Sequence, residues 1–495
     1  MDHAVDVAVL AGCGLILTGV LAVRLSSRTG VPALLVYLGI GLALGEAGLG
    51  IRFEDYDLTG EIGLVALAVI LAEGGLTTRW SQVRPALGAA TVLSTLGVLV
   101  SVTVVSGATV LLLGTSWRTA LLLGAAVAST DAAAVFSVLR RLPLKSRLGR
   151  LLEAESGLND APTVVLVTLV SSSSWASTGV LEVAGLVMYE LVVGLAVGLA
   201  IGWAGRLTLG RLALPSAGLY PLATVGLVLL SFGAAGVLSA SGFLAVYVAG
   251  LVVGSARLPH RRAVLGFATS LALLAELGLF VLLGLLASPD RLVDAIPTAL
   301  VVGATALLVA RPLAVLLSTT PFRIPLREQA FLAWAGLRGA VPIVLAIVPV
   351  TQHVPGGTRV LDVVFVLVVV YTLLQAPTLP YVGRLLGVVE DVEARDLEVE
   401  AAPLESVGAD LLQVSVRPGS QLHGVYVDEL RLPPGAVLSL LVRDHEGTVP
   451  TSDTRLQRGD QLLIVATTAS RALAEERLRA VSRDGKLARW YGPGT

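Results

Sequence analysis

Cysteine is almost missing from this sequence: Cys13 is the one example in 495 residues, and it sits inside an apolar run. That count excludes a disulfide framework, a cysteine-rich metal cluster and a redox pair. Charge is scarce too, at 14% Asp, Glu, Lys and Arg with a formal net charge of −1, so there is no basic surface for a nucleic acid. Aromatic residues reach only 5%. The period-two alternation of a β-barrel strand, about ten residues long, is absent, because apolar runs here continue for twenty residues or more. No nucleophile has a base beside it, and there is neither a metal-ligand cluster nor a phosphate-binding loop, so an enzyme is not expected and no cofactor is called for. His3, His260, His353, His423 and His445 fall in expected loops, termini or the tail, as solvated residues, with His260 also placed to sense pH. The first apolar run lacks the preceding positive charge of a signal peptide: Asp2 and Asp6 come before it, Arg24 and Arg28 after it. It is expected to be a first transmembrane helix.

Against these absences stand 55% hydrophobic residues, 53 glycines and a mean hydropathy of +0.83, values outside the range of soluble globular chains. Small residues suit close helix packing in lipid, where acyl chains compete equally for large apolar side chains. A span needs about 20 apolar residues to cross roughly 30 Å of hydrocarbon. Thirteen candidates fit, at 4–24, 31–49, 60–77, 85–113, 118–140, 153–173, 180–206, 216–236, 241–255, 264–287, 292–318, 326–349 and 359–386. Alternate loops hold most of the arginines, including Arg79, Arg84, Arg140, Arg141, Arg150, Arg257, Arg261 and Arg327, whereas the other loops hold Arg52, Arg118, Arg291 and Arg359. The positive-inside rule then places the N-terminus outside and everything after residue 386 in the cytoplasm.

The stretch Leu71-Ala72-Glu73-Gly74-Gly75-Leu76 in the third span returns as Leu274-Ala275-Glu276-Leu277-Gly278-Leu279 in the tenth. Seven spans is an odd offset, which reverses direction across the membrane, as an inverted repeat of six plus six spans with one linker span would; chance recurrence of Leu, Ala and Gly is the alternative. The expected fold is therefore an all-α polytopic membrane protein of about thirteen helices, 1–390, with a small cytosolic α+β domain. An acidic linker is read at 391–404, a soluble domain at 405–482 and a tail at 483–495. Within the soluble domain, Leu411–Val416, Val437–Val442 and Gln461–Val465 read as strands and Ala469–Ala480 as a closing amphipathic helix.

A charged side chain at the bilayer centre costs about 2.5 to 3.5 kcal/mol, and six stand out in the core: Glu73, Asp131, Glu155, Asp160, Glu276 and Arg338. Unpaired, they would cost roughly 15 to 20 kcal/mol, more than a typical net folding stability, so pairing, solvation or protonation must relieve them. Snorkelling from helix ends is the alternative for Glu276 and Glu73. The sixth span is densest, with Glu155-Ser156-Gly157-Leu158-Asn159-Asp160-Ala161-Pro162. On a helix Ser156 and Asp160 share one face while Glu155 and Asn159 form an adjacent stripe, lining one side with the hard oxygens that alkali cations prefer; a capped helix start is the competing reading. Pro162 frees a backbone carbonyl. In the fifth span Ser129-Thr130-Asp131 favours local unwinding, and in the twelfth Gly336-Leu337-Arg338-Gly339-Ala340-Val341-Pro342 predicts a break. Two broken helices placed equivalently in two halves point to a transporter binding site.

The strings S-T-D-A-A-A-V at 129–135, E-S-G-L-N-D-A-P at 155–162, S-G-F-L-A-V-Y-V-A-G-L at 241–251 and G-L-R-G-A-V-P at 336–342 resemble the NhaP-type branch of the cation:proton antiporter family, over about residues 1 to 390. The resemblance implies an electroneutral exchanger, because electrogenic relatives carry a second Asp where Asn159 stands. It implies that Asp160 binds cation and proton in turn, that Asp131, Ser156, the Thr130 backbone and Glu73 complete or support the site, and that Glu155 and Arg338 form a buried ion pair. Residues 405 to 482 are similar to the TrkA-C module, which implies a dimeric chain and a small ligand such as a nucleotide, and which favours K⁺ over Na⁺; the core residues themselves leave the two ions open. A regulated potassium channel is the rival class. Thr224-Val225-Gly226-Leu227 is the nearest thing to a filter, and it lacks the T-V-G-Y-G loop.

Overall fold

The computed structural model describes residues 3–29, 32–46, 48–51, 53–130, 144, 146–175, 177, 179–211, 214–256, 258–389, 399–404, 409–417, 419–443, 446–467, 469–486 and 488. Asp131, expected at the site, lies outside them, as do Arg140, Arg141, Lys145 and the stretch 391–398 of the expected linker. The chain divides into two compact units, Met1–Val389 and Glu390–Thr495.

The first unit is helical: α1 His3–Thr29, α2 Ala33–Leu44, α3 Tyr56–Thr77, α4 Leu87–Leu113, α5 Trp117–Ala128, α6 Ser146–Ser171, α7 Val180–Arg211, α8 Leu219–Val237, α9 Gly242–Gly254, α10 Arg261–Leu286, α11 Pro289–Phe322, α12 Leu326–Trp334, α13 Ala340–Thr351 and α14 Gly357–Leu385. Among the described residues, α3, α4, α7, α8, α10, α11 and α14 are long and apolar enough to cross a membrane, and α2, α5, α9 and α13 are shorter apolar helices. Side-chain caps start several of them. Asp55 accepts from the Leu58 N–H at α3, Ser116 from Thr119 at α5 and Ser241 from Leu244 at α9, each satisfying a donor that the first turn leaves open.

Small residues set how closely these helices approach. Along α7, a Cβ on Gly194 would stand 2.6 Å from the Ser241 carbonyl, one on Gly198 2.6 Å from the Ala245 carbonyl and one on Gly202 3.0 Å from Ala249 Cα. Repeating every fourth residue, this stripe presses α7 against α9 backbone to backbone. Large apolar side chains then point outward, with Leu181, Val192 and Trp203 of α7 among the most exposed. In water such a surface would be an aggregation liability; in lipid it is solvated.

The sixth, polar helix runs beside two interrupted ones. Helix α5 stops at Ala128, and Ser129 is extended at φ −65°, ψ 146°, so the unwinding read at 129–131 begins where the Ser-Thr pair starts. The expected twelfth span is two helices, α12 and α13, separated at 335–339, where Gly336 and Gly339 stand. Helices α4 and α11 each contain one π-helical turn, at Leu93–Gly97 and Ala306–Ala310. These turns had no signature in the apolar pattern.

The second unit is a five-stranded antiparallel sheet in the order β1-β2-β5-β3-β4, with β1 Val399–Leu404, β2 Ala409–Ser415, β3 Ala436–Arg443, β4 Glu446–Thr448 and β5 Gln461–Thr467, followed by helix α15 Arg471–Asp484. Alternate residues of β2 and β5 point inward, so Leu412, Val414, Leu462 and Ile464 join Leu438, Leu441, Ala474, Leu478 and Val481 in one core. The sheet begins earlier than expected: Val399–Leu404, read as linker, pairs with β2 from Val399↔Val414 to Leu404↔Ala409. Pro403 is tolerated there because β1 is an edge strand with no ladder on its far side.

Candidate functional site

Unwinding at Ser129 and Thr130 leaves carbonyls that no helix claims, and two other elements bind them. The Arg338 guanidinium, in the break between α12 and α13, donates from Nη1 to the Ser129 carbonyl at 2.7 Å. The Ser156 hydroxyl of α6 donates to the Thr130 carbonyl at 2.5 Å, and Asn159 Nδ2 donates to Thr130 Oγ1 at 2.6 Å. All of these residues are buried, as is Asp160. The two broken segments and the polar face of α6 thus meet at one place, bringing together Thr130, Ser156, Asn159, Asp160 and Arg338.

Within α6 the Thr163 hydroxyl donates back to the Asn159 and Asp160 carbonyls, at 3.0 and 2.8 Å, next to Pro162, which has no N–H to give. Asn159 Oδ1 is buried and has no hydrogen-bond partner among the described residues. A buried amide oxygen without a donor costs about 1 to 3 kcal/mol, and a cation or an ordered water beside it would remove that cost. The arrangement offers an alkali cation the oxygens of Asp160, Ser156 and Thr130, and offers a proton the Asp160 carboxylate.

The ion pair departs from expectation. Glu155 is bound by Arg311, not Arg338: Arg311 Nη2 donates to Oε2 at 2.9 Å, and Nη1 contacts Oε1 more closely still. Both side chains are buried, and the fork also reaches the Leu332 carbonyl at 3.3 Å. Glu155 comes one residue before Ser156, so it is turned about 100° around α6 from the Ser156–Asp160 face. On that side stand the π turns. Ser94, in the first, donates to the Glu155 carbonyl at 3.0 Å, and Arg311 directly follows the second. Gly336 makes the room, since a Cβ there would lie 2.8 Å from Arg311 Nε. Arg311 interrupts the apolar run 292–318 just as Arg338 interrupts 326–349, so the criterion that singled out the other buried charges also points to it.

Glu73 is half-buried and accepts from Thr269 Oγ1 of α10 at 3.1 Å. Another carboxylate of α6, Glu153, accepts a hydroxyl from Thr78 just past the end of α3. At the opposite end of α6, Arg118 donates to the Val170, Ser171 and Ser172 carbonyls at 2.9 to 3.0 Å, tying the start of α5 to the helix that carries Asp160.

Comparison with known proteins follows the same division. Residues 14–384 match the model of the transmembrane sodium/hydrogen exchanger family, and residues 411–479 match the TrkA-C domain. The chain is 35% identical over 476 residues to a K(+)/H(+) antiporter NhaP of Alkalimonas amylolytica, covering 94% of this chain and 82% of that protein. It is 33% identical to a K(+)/H(+) antiporter NhaP2 of Shewanella baltica, covering 98% and 85%, and 30% identical over 366 residues to a Na(+)/H(+) antiporter NhaS2 of Synechocystis, covering 70% and 66%. Among solved structures, the sodium proton antiporter MjNhaP1 of Methanocaldococcus jannaschii shares the fold at a TM-score of 0.66 and 22% identity, over 77% of this chain and 99% of that one.

Proposed function

The chain belongs to the sodium/hydrogen exchanger family, and on that premise we propose that it exchanges K⁺ for H⁺, one for one, at Asp160. The observation that carries the reading is the meeting of Thr130, Ser156, Asn159 and Asp160 where α5 is interrupted. Asp160 holds either a proton or a cation, and the two cannot be bound at once, so each passage of the site across the membrane carries one positive charge. Asn159 stays neutral throughout, which keeps the exchange electroneutral. Asp131, next in the chain to Thr130, and Glu73 complete the ligand set. Arg338 holds the Ser129 carbonyl and so fixes the edge of the unwound segment.

K⁺ is favoured over Na⁺ because the relatives that span nearly the whole chain, C-terminal domain included, carry K(+)/H(+) antiporter names. The Na⁺ reading rests on the NhaS2 relative, whose match covers less of the chain. The N-terminus lies outside, the C-terminal domain faces the cytoplasm of a cell-membrane homodimer, and a small ligand or nucleotide bound there adjusts the exchange rate. Proteoliposomes loaded with a pH-sensitive dye, pulsed with K⁺, Na⁺ or Li⁺, test the reading. Proton movement strongest with K⁺ and unaltered by an imposed membrane potential is expected. Movement of charge with each turnover overturns the one-for-one exchange, and a stronger response to Na⁺ overturns the ion.

A further inference from the structure

The last span carries its polar residues inward. Along α14, Tyr371, Thr372, Gln375 and Thr378 recur at helical spacing and share one face; the first three are buried, whereas Leu373 and Leu374 are 56% and 45% exposed. Polar groups in lipid need partners, and this seam finds them largely in backbone that two other helices leave open. Tyr371 donates to the Gly303 carbonyl of α11 at 2.6 Å, three residues before the π turn that leads to Arg311. Gln375 Nε2 donates to the Trp334 carbonyl, at the end of α12, at 2.9 Å. The Trp334 indole Nε1 in turn donates to Thr378 Oγ1 at 3.0 Å, and Thr372 Oγ1 stands 3.5 Å from the Arg338 carbonyl.

The end of α12 is thus pinned twice, through its carbonyl and its indole, to residues one turn apart on α14. Four residues further along the chain, across the break, the Arg338 guanidinium reaches the Ser129 carbonyl at 2.7 Å. No helical ladder crosses 335–339, so the direction in which the chain carries Arg338 away from α12 depends on what holds Trp334. Gln375 does this at a cost. It is fully buried, and with its nitrogen turned to a carbonyl its Oε1 has no hydrogen-bond partner among the described residues. A leucine would fill much the same volume without leaving an acceptor unpaired, so packing alone does not ask for a glutamine here. We infer that Gln375 is a positioning residue for the exchange: with Trp334 and Thr378 it fixes the end of α12 and so aims Arg338 at the unwound Ser129–Thr130 segment. The inference rests on the exchange reading above, in which Thr130 supplies oxygens to the cation.

Loosening that aim should affect the cation more than the proton, because the cation needs the Thr130 and Ser156 oxygens in place whereas the proton needs only a carboxylate. Exchange by the full chain in proteoliposomes, titrated with K⁺, reads the difference. Gln375→Leu should raise the KM for K⁺ about fivefold while kcat stays within about twofold and the melting temperature matches the parent's. Should Gln375→Leu fail to insert, Thr378→Val reads the same anchor and should raise KM about twofold. Arg338→Lys, which keeps the charge without the guanidinium fork, should itself raise KM, and Gln375→Leu added to it should raise KM little further. An unchanged KM, a melting temperature that falls along with the affinity, or effects that multiply independently in the double variant overturns the positioning role and leaves exchange at Asp160 standing. Exchange by Asp160→Asn at the parent's rate overturns the Asp160 reading instead.

Discussion

Helix α6 carries two buried carboxylates five positions apart, and the proposed exchange gives them opposite parts. Glu155 is clasped by both arms of the Arg311 guanidinium; its charge is neutralised by a group that cannot leave. Asp160 stands on the same helix as Ser156, Asn159 and Thr163, and the first two of these bind Thr130 in the unwound segment after α5. On the proposed reading its neutralising charge is the proton or cation being exchanged. On that reading one helix holds a permanent ion pair for structure and an exchangeable one for transport, and a rotation of about 100° per residue keeps them apart.

The contrast is broken most completely by Asp160→Asn. Exchange should fall to background in proteoliposomes, at least a hundredfold, while the protein inserts and melts as the parent does; retained exchange would mean that the mobile charge sits elsewhere. Next in size is Arg311→Met, which strands a buried carboxylate at a cost of about 3 to 5 kcal/mol. The double variant Glu155→Gln/Arg311→Met should recover much of that loss in a thermal melt of the solubilised protein. The same cycle on Glu155 and Arg338 should be nearly additive, and strong coupling there would return Arg338 to the pair.

A smaller effect is expected in the C-terminal domain, where Arg443 binds the fully buried Asp460 through two contacts of 2.8 Å and Asp460 also accepts the Gln457 N–H at 2.7 Å. Arg443→Ala should cost about 1.5 to 3 kcal/mol, the range for hydrogen bonds to a charged group. It should lower a domain-specific unfolding step without altering exchange by the core. Smallest of all, truncation before β1, after about residue 395, should leave the core's maximal exchange rate within about twofold and abolish its response to candidate nucleotides. A truncated chain that is folded yet inactive would place the domain within the transport cycle.

Much of this was legible from costs. Charges and helix breakers are so unfavourable in an apolar span that Glu155, Asp160, Arg338 and the Gly336–Gly339 break announce themselves. Partner choice was not legible, because it depends on the angle each helix presents. The π turns at Leu93–Gly97 and Ala306–Ala310 shift that angle by inserting a residue into the turn, and nothing in a run such as Ala306-Leu307-Leu308-Val309-Ala310 marks one. Glu153 escaped for a different reason. It stands near the start of a helix, where a carboxylate is read as reaching water, and the packing of Thr78 against it makes it part of the interior. The strand Val399–Leu404 was hidden by acidic neighbours and by Pro403, which an edge position permits.

The glycine stripe of α7 has a mechanical consequence. Gly194, Gly198 and Gly202 form a groove in which the backbone of α9 lies from Ser241 to Ala249. Sliding one helix along the other by less than four residues, about 6 Å, would drive the α9 backbone onto the larger side chains between the glycines. The pair therefore has one resting register and steep walls on either side of it, and behaves as a single welded beam. Any displacement that opens one face of the protein and shuts the other has to be taken up at contacts made by longer, more compliant side chains, with α7 and α9 carried along together.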